Sequence, residues 1–160
     1  TALHPTVRPF LQGDVRPTYA FARVVSPQVT LSAWTAFARS YTARPGRTRA
    51  GGITVRNERG DCAGLALWRT AHSLDHGAIL AVDLFIVADF DRPAGVRAQL
   101  LRGLESLAAE RGFPALHVTV PSTASAASLP GYHADATVMC RAVSAPSTRH
   151  RAEAPAASER

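Results

Sequence analysis

The sequence predicts an α/β protein whose mixed, mostly antiparallel central sheet is flanked by helices. Two observations predict this class: short apolar segments bounded by polar turns, and two longer segments with helical apolar periodicity. In addition, a long helix lies between two apolar segments. Strands joined by such a helix run parallel, so the sheet should contain one parallel strand pair. With 160 residues, 46% of them hydrophobic, the chain can form one domain with its own core.

The N-terminal part predicts one strand and two helices. Residues 7–11 form a short strand, and Asp14 is a candidate N-cap for a helix that ends near residue 25. Ser26 and Pro27 predict the start of a second helix, because serine caps helices and proline is favoured in the first turn. One face of this helix carries Trp34, Phe37, Ala38 and Tyr41. We expect these side chains to be core.

The middle of the chain predicts three strands joined by polar turns. Residues 43–52 are rich in arginine and glycine and predict a loop. Residues 53–56 and 63–69 then form a hairpin around the turn at 57–61. A second turn at 72–77 leads into the strand at 79–87.

The long helix that follows begins near Pro93 and ends at Gly112, a residue typical of helix C-termini. Its apolar stripe consists of Val96, Leu100, Leu101, Leu104, Leu107 and Ala108. Residues 115–120 predict a strand parallel to 79–87, and residues 137–143 close the sheet. We therefore expect a single domain over residues 1–143 and a disordered tail, rich in Ala, Pro, Ser and Arg, over residues 144–160.

The start of this helix predicts an anion site. The first N–H groups of a helix have no intrahelical partner and carry partial positive charge. Gly95 lets a phosphate approach the main chain, and Arg92 and Arg97 add charge. A Walker loop is excluded because the chain has no lysine, and no GxGxxG follows a strand, so a nucleotide site of either kind is not expected.

Residues 82–101 resemble the acyl-CoA motif of the GNAT superfamily of N-acyltransferases. In that motif a strand ending in a triplet like Phe85-Ile86-Val87 is followed by a loop and the pattern Arg or Gln, any two residues, Gly, any residue, Gly or Ala. Arg92 and Gly95 match this pattern, and Arg97 stands where a small residue is usual. The element order β-α-α-β-β-β-α-β-(short α)-β is also the GNAT order, so the resemblance covers residues 6–143.

The resemblance implies that acetyl-CoA lies in a cleft between two splayed parallel strands and that its acetyl group is transferred directly to a primary amine. The backbone of the strand triplet would pair with the pantetheine arm and the loop would hold the pyrophosphate, with the thioester carbonyl near Val87. The residues implied in cofactor binding are Phe85, Ile86, Val87, Arg92, Ala94, Gly95, Val96 and Arg97. The acceptor is a small-molecule or peptide amine whose identity stays open.

Asp83 is the candidate general base, because the family often uses a carboxylate on this strand to deprotonate the acceptor amine. An aspartate held by an arginine or by backbone is the alternative, since a buried charge needs a partner. The family's tyrosine, which protonates the departing thiolate, is missing from residues 121–129, and Gly131-Tyr132 stands for the usual Gly-Phe pair. Solvent, Ser122 or Ser125 could supply that proton. A GNAT-fold binding or regulatory module with weak or no catalysis is therefore the alternative function.

Composition bounds the remaining possibilities. The net charge of +6 reflects arginine spread over every segment, and no nucleic-acid-binding motif accompanies it, so a nucleic-acid partner is not expected. No apolar segment is long enough for a membrane span, no signal peptide is evident, and two distant cysteines do not indicate a disulfide framework. We expect a cytoplasmic protein without a metal, since His72 and His76 lie in a turn. An exposed edge at the last strand could be covered in a homodimer.

Overall fold

The computed structural model describes residues 6–46, 48–88 and 93–119. Its elements are β1 (Thr6–Pro9), α1 (Tyr19–Val25), α2 (Leu31–Arg39), β2 (Ala50–Arg56), β3 (Cys62–Ser73), β4 (Gly77–Val87), α3 (Pro93–Glu110) and β5 (Leu116–Val118). The predictions for residues 121–129, 131–132, 137–143 and 144–160 lie outside the described residues. No helix in the described ranges is long and apolar enough to cross a membrane.

The five strands form one sheet in the order β1-β2-β3-β4-β5. Neighbouring strands are antiparallel except β4 and β5, which are parallel. This confirms the predicted mixed, mostly antiparallel sheet and the predicted parallel pair on either side of α3.

The α3 face of the sheet carries the larger core cluster. The predicted apolar stripe of α3 is confirmed, because Val96, Leu100, Leu101, Leu104 and Ala108 are buried and Leu107 is partly buried against them. Gly112 has a φ of 73°, a left-handed conformation that glycine adopts without strain, and it follows the end of α3 as predicted.

The α1–α2 face carries a second core cluster. Trp34, Ala38 and Tyr41 are buried there, and the indole N–H of Trp34 donates to the Val15 carbonyl at 2.7 Å. Phe37 is the exception, because it is 44% exposed. The aromatic stripe is therefore core as expected, and Phe37 is its one ring in contact with solvent.

Asp14 does not cap a helix, which corrects the prediction. It ends a short 3₁₀ turn at Gln12–Asp14, and α1 begins only at Tyr19. The Asp14 side chain instead forms ion pairs with Arg8 at 2.5 Å and Arg56 at 2.6 Å, and Asp14 is 4% exposed. A buried carboxylate requires such partners. Its Oδ2 also accepts the N–H of Leu11 at 2.8 Å, so Asp14 stabilises the 3₁₀ turn and not the start of α1.

The predicted start of the second helix at Ser26 and Pro27 is also wrong. Ser26 ends α1, since its N–H donates to the Ala22 carbonyl at 2.8 Å. The N-cap of α2 is Thr30, whose hydroxyl accepts the N–H of Ala33 at 3.1 Å. Threonine is a good N-cap for the same reason as serine, so the error is one of position.

All five strands have different bounds from those predicted, and β1 lies at Thr6–Pro9 where 7–11 was predicted. β2 begins at Ala50 within the predicted loop, where Gly51 and Gly52 lie so close to Trp68 and Leu67 that no Cβ would fit. β3 and β4 extend toward each other to Ser73 and Gly77, which shortens the predicted turn at 72–77. β5 has three residues where six were predicted.

Candidate active site

The edge of β4 that faces β5 is only partly paired. Pairing begins at Leu80 with Leu116 and ends at Val82 with Val118. β4 itself continues to Val87. Beyond Val82, no other strand in the described part of the chain pairs with this edge. Unpaired backbone groups at a sheet edge can bind an extended ligand as a further strand would.

The backbone groups of Phe85 and Val87 point toward this open edge. The N–H of Ala88 donates to the Ala63 carbonyl on β3 at 2.8 Å. Because successive residues of a strand direct their N–H groups to opposite sides, Ile86 also faces β3, and Phe85 and Val87 face away from it. Of the three strand residues predicted to bind cofactor, Phe85 and Val87 therefore have backbone groups that no described strand pairs with, whereas those of Ile86 face β3.

The start of α3 lies beside the end of β4. Gly64 on β3 pairs with Val87, and a Cβ on Gly64 would come within 2.7 Å of Val96 and 2.9 Å of Leu100. The absence of a side chain at Gly64 thus lets α3 approach the sheet closely at this point. Val96 is 1% exposed, so its side chain is core and not available to a ligand.

The first turn of α3 has the features predicted for an anion site. Ala94 and Gly95 are exposed, and their N–H groups precede the first intrahelical hydrogen bond. A Cβ on Gly95 would meet no atom of the described residues within 4 Å, so the space beside Gly95 is open. Arg97 is half-buried one turn further along. Arg92 lies outside the described residues.

A bulge in β4 changes the direction of its side chains at Asp83. On β3, the consecutive residues Leu67 and Trp68 pair with Leu84 and Val82, so Asp83 is the extra residue. Val82 packs in the α3 cluster, whereas Leu84 packs in the α1–α2 cluster, although strict alternation would place both on one face.

The bulge residue Asp83 is held by two side chains on the α1–α2 side. The Tyr41 hydroxyl donates to its Oδ2 at 2.8 Å. Arg69 Nε lies 2.9 Å from Oδ2 and 3.1 Å from Oδ1. An ionised carboxylate accepts about four hydrogen bonds, so one position remains on Oδ1. The Asp83 side chain is 23% exposed, so the carboxylate is partly accessible to a ligand or to water.

Tyr41 acts here as a hydrogen-bond donor. Burial and the hydrogen bond to Asp83 raise its pKa well above the ordinary value, and the positive charge of Arg69 offsets this only in part. The phenol therefore remains protonated at neutral pH. A phenol of such low acidity is a poor general acid for a thiolate, so Tyr41 does not replace the tyrosine missing from residues 121–129.

Solved structures share this architecture, although no sequence-family profile and no curated protein matches the chain. The aminoglycoside N-acetyltransferase AAC(6')-Iy in complex with CoA matches with a TM-score of 0.71 at 13% identity, over 86% of this chain and 94% of that chain. Its complex with the bisubstrate analogue CoA-S-monomethyl-acetylneamine matches with a TM-score of 0.70 at 13% identity, over 87% and 98%.

Two further structures come from other enzymes of this fold. A ribosomal-protein-alanine N-acetyltransferase from Brucella melitensis has a TM-score of 0.65 at 14% identity, over 87% of this chain and 99% of that chain. A GNAT family acetyltransferase from Staphylococcus aureus has a TM-score of 0.66 at 10% identity, over 88% and 100%. The chain has the GNAT fold. The resemblance predicted from the strand, turn and helix at residues 82–101 is therefore confirmed for the fold.

Within this GNAT fold, the sequence missed two residues of the site, Tyr41 and Arg69. The aromatic stripe of α2 predicts that Tyr41 is core, and Tyr41 is buried, yet its hydroxyl donates a hydrogen bond to Asp83. Arg69 was only the end of a predicted strand. Both residues lie far from Asp83 in sequence. The available signal was the buried charge of Asp83 itself, which required a cationic or hydrogen-bonding partner.

The remaining candidates of the sequence do not form a chemical centre. The described residues contain no group of three His, Cys, Asp or Glu side chains that could hold a metal ion. His72 lies at the end of β3 and His76 in the following turn, where its ring is 5.7 Å from that of His117. Burial raises the pKa of the Cys62 thiol to about 11, so the thiol stays protonated at neutral pH and is a weak nucleophile.

Proposed function

We propose that the protein transfers an acetyl group from acetyl-CoA directly to a primary amine. The observation that carries this proposal is the open edge of β4, which continues to Val87 after pairing with β5 has ended at Val82. The edge leads to the N-terminal turn of α3, where anionic groups are stabilised. The CoA-bound state of a solved structure with the same fold supports this choice of cosubstrate.

The described residues fit acetyl-CoA at both ends of the pantetheine arm. Phe85 and Val87 offer backbone groups along the open edge, which an amide-containing chain can pair with. The N–H groups of Ala94 and Gly95 would donate hydrogen bonds to the pyrophosphate. The open space beside Gly95 leaves room for it. Arg97 and Arg92 would add positive charge around it.

The resemblance implies a thioester carbonyl near Val87. We propose instead that the reacting carbonyl lies near the bulge at Asp83. Asp83 and Val87 are four residues apart in one strand, which corresponds to ~13 Å. A base must lie within hydrogen-bonding distance of the proton that it removes, directly or through one water. An amine that reaches Asp83 can therefore attack only a carbonyl beside Leu84 and Phe85, where the open-edge N–H of Phe85 can polarise it.

The proposed reaction uses few protein groups. The amine nitrogen forms a bond to the thioester carbon and loses a proton to Oδ1 of Asp83 or to a water bound there. The carbon–sulfur bond then breaks, and the sulfur receives a proton from solvent or from a serine such as Ser122 or Ser125, both outside the described residues. The products are an amide and CoA, and no covalent bond to the protein forms.

A second candidate is a CoA-binding module without catalysis. One observation favours it, because Arg69 and Tyr41 already occupy three of the acceptor positions of Asp83. A carboxylate held in this way can be purely structural. The two candidates share the CoA site and differ in the chemistry at Asp83.

Calorimetry with acetyl-CoA, followed by a thiol-release assay over a panel of primary amines, separates these candidates. We expect saturable binding at one site per chain and thiol release that requires an amine. Binding without release on any amine would favour the module. No binding of acetyl-CoA would contradict both. Neutral, cationic and carboxylate-bearing amines belong in the panel, since the acceptor is not assigned by the fold.

A further inference from the structure

An open groove of about 470 Å³ lies in the connection between α2 and β2. We call it the α2–β2 groove. Its walls are formed by Arg44, Pro45, Gly46, Thr48 and Arg49. The groove lies in the segment that the sequence predicted as an arginine- and glycine-rich loop.

The backbone of this groove is fixed at several points. The N–H of Ala43 donates to the Phe10 carbonyl at 2.8 Å, and the carbonyl of Arg49 accepts the N–H of Thr70 at 2.7 Å. The carbonyl of Thr48 accepts a hydrogen bond from the Arg111 side chain. A backbone anchored on both sides fixes the positions from which the groove side chains extend, which lowers the entropic cost of ordering the loop on binding.

The groove carries two positive charges that no acidic side chain of the described residues pairs with. Arg44 and Arg49 are exposed, and in the described ranges neither side chain forms an ion pair. Thr48, the third polar side chain among the described residues of the wall, is neutral. Two guanidinium groups on a fixed loop are suited to bind a carboxylate or phosphate through charge-assisted hydrogen bonds.

The position of the groove argues against a role in binding the pyrophosphate of CoA. Arg111, which contacts Thr48, follows the C-terminal end of α3, whereas Ala94 and Gly95 lie at its N-terminal end. The helix has 18 residues, which gives it a length of ~27 Å. The groove and the proposed pyrophosphate site are therefore separated by about the length of α3.

The groove is instead next to the residues that hold Asp83. Ala50, which follows the groove directly, pairs with Arg69 on β3. Arg69 pairs in turn with Ala81, two residues before Asp83 on β4, whereas Val87 lies four residues after it. The proposed CoA site and the groove thus lie on opposite sides of Asp83 along the strand direction.

We propose that the acceptor is a small amine that also carries a carboxylate, and that Arg44 and Arg49 bind this carboxylate while the amine reaches Asp83. The inference rests on the proposed function, since it names the substrate class of the same site. A single ligand that reaches from the groove to the Asp83 carboxylate would need a positive amine at the Asp83 end and a negative group at the groove end. This is the charge pattern that Asp83 and the two arginines complement. A polycationic acceptor would meet like charge in the groove.

The test uses glycine oligomers of one to four residues as acceptors, each compared with its C-terminal amide. The amide keeps the amine and the length but removes the negative charge. Thiol release is measured at saturating acetyl-CoA for the wild type, Arg44→Gln, Arg49→Gln and the control Arg102→Gln, which removes one charge from the exposed face of α3. In parallel, calorimetry measures the binding of the N-acetylated acids and amides to the CoA-saturated protein.

We expect acids to be preferred over amides by at least about tenfold in kcat/KM at the best length, and each groove variant to lose about tenfold on acids alone. Arg102→Gln should change neither the preference for acids nor the kcat/KM on acids. The proposal is overturned if acids and amides react and bind equally, if a diamine is preferred to every acid, or if Arg102→Gln has the same effect as the groove variants. If no amine is acetylated, the binding measurements decide. Preferential binding of the acids that requires Arg44 and Arg49 supports the proposal that the groove binds a carboxylate, and the absence of such a preference overturns that proposal. Failure to bind acetyl-CoA would instead contradict the proposed function.

Discussion

The phenol oxygen of Tyr41 donates a 2.8 Å hydrogen bond to Oδ2 of Asp83 across 42 positions of sequence. Tyr41 lies just after the end of α2, and Asp83 is the extra residue of the β4 bulge. Arg69, from the neighbouring strand, contacts the same carboxylate. The orientation of the proposed base is therefore set jointly by the helix layer and by the sheet.

Replacing Asp83 by asparagine should lower kcat about 100-fold, because the amide cannot accept the amine proton. The dissociation constant for acetyl-CoA should stay within about twofold of the wild-type value, since the variant leaves the edge at Phe85 and Val87 intact. Steady-state kinetics and calorimetry measure the two quantities. Asp75→Asn, in the exposed turn between β3 and β4, is the matched control and should behave as the wild type. A kcat for Asp83→Asn within a few-fold of wild type would remove Asp83 from the chemistry.

Replacing Tyr41 by phenylalanine should reduce kcat by roughly five- to tenfold and the free energy of unfolding by about 1 kcal/mol. The carboxylate then loses one of its two supports and is positioned less well. Tyr19→Phe is a matched control, because the Tyr19 hydroxyl also donates one hydrogen bond, to the Val29 carbonyl at 2.9 Å. Both variants should lose similar stability in chemical denaturation, and only Tyr41→Phe should lose activity. Identical kinetics of the two variants would contradict a positioning role.

The stability of the protein should fall between about pH 9 and pH 11, in part because of Cys62. Burial raises the pKa of its thiol from 9.0 to about 11, so the folded protein binds this proton more tightly than the unfolded chain does in that range. The contribution is complete below pH 9 and is lost as the pH rises toward 11. We expect it to be on the order of 1–2 kcal/mol, since the thiol is partly exposed.

Denaturation curves from pH 8 to pH 11 measure this contribution. Cys62→Ala should be less stable than the wild type at pH 8, and the difference should narrow as the pH rises. Alkylation provides a second measurement, because a protonated thiol reacts slowly at pH 7.5 and faster near pH 11. A Cys62 thiol that is alkylated at pH 7.5 as fast as a free thiol would contradict the prediction.

Replacing Gly95 by aspartate should affect stability and CoA binding in opposite directions. A negative charge in the first turn of α3 interacts favourably with the helix dipole, which should raise the free energy of unfolding by about 0.3–1 kcal/mol. The same charge should repel the pyrophosphate and weaken acetyl-CoA binding more than tenfold. Ala109→Asp, at the exposed C-terminal end of α3, changes the net charge equally and should leave CoA binding unchanged. A Gly95→Asp variant that binds acetyl-CoA normally would exclude this turn as the pyrophosphate site.

The features that could be predicted from the sequence are those with a local cause. The apolar stripe of α3 and its end at Gly112 follow from helical periodicity and from the left-handed conformation of glycine. The hairpin turns follow from clusters of polar residues. The motif at residues 82–101 and the order of these elements together indicated the fold, even though the structures compared above have only 10–14% sequence identity to the chain.

The features that could not be predicted depend on distant partners. Asp14 has the residue type of an N-cap, but Arg56 reaches it from β2 and makes it a buried ion pair. The bulge at Asp83 could not be predicted, because β4 is apolar on both faces. Its sequence therefore shows the same apolar pattern with and without an extra residue. The roles of Tyr41 and Arg69 follow from this bulge, which turns the carboxylate toward them.

The most direct test of the account is amide hydrogen exchange, measured by NMR with and without acetyl-CoA. We expect acetyl-CoA to protect the amides of Phe85 and Val87, which face the open edge, and those of Ala94 and Gly95 in the first turn of α3. The amides of Ile86 and Ala88, already directed to β3, should change little and serve as internal controls. Unchanged exchange at Phe85 and Val87 in the presence of saturating acetyl-CoA would contradict the central claim that this edge of β4 is the binding site.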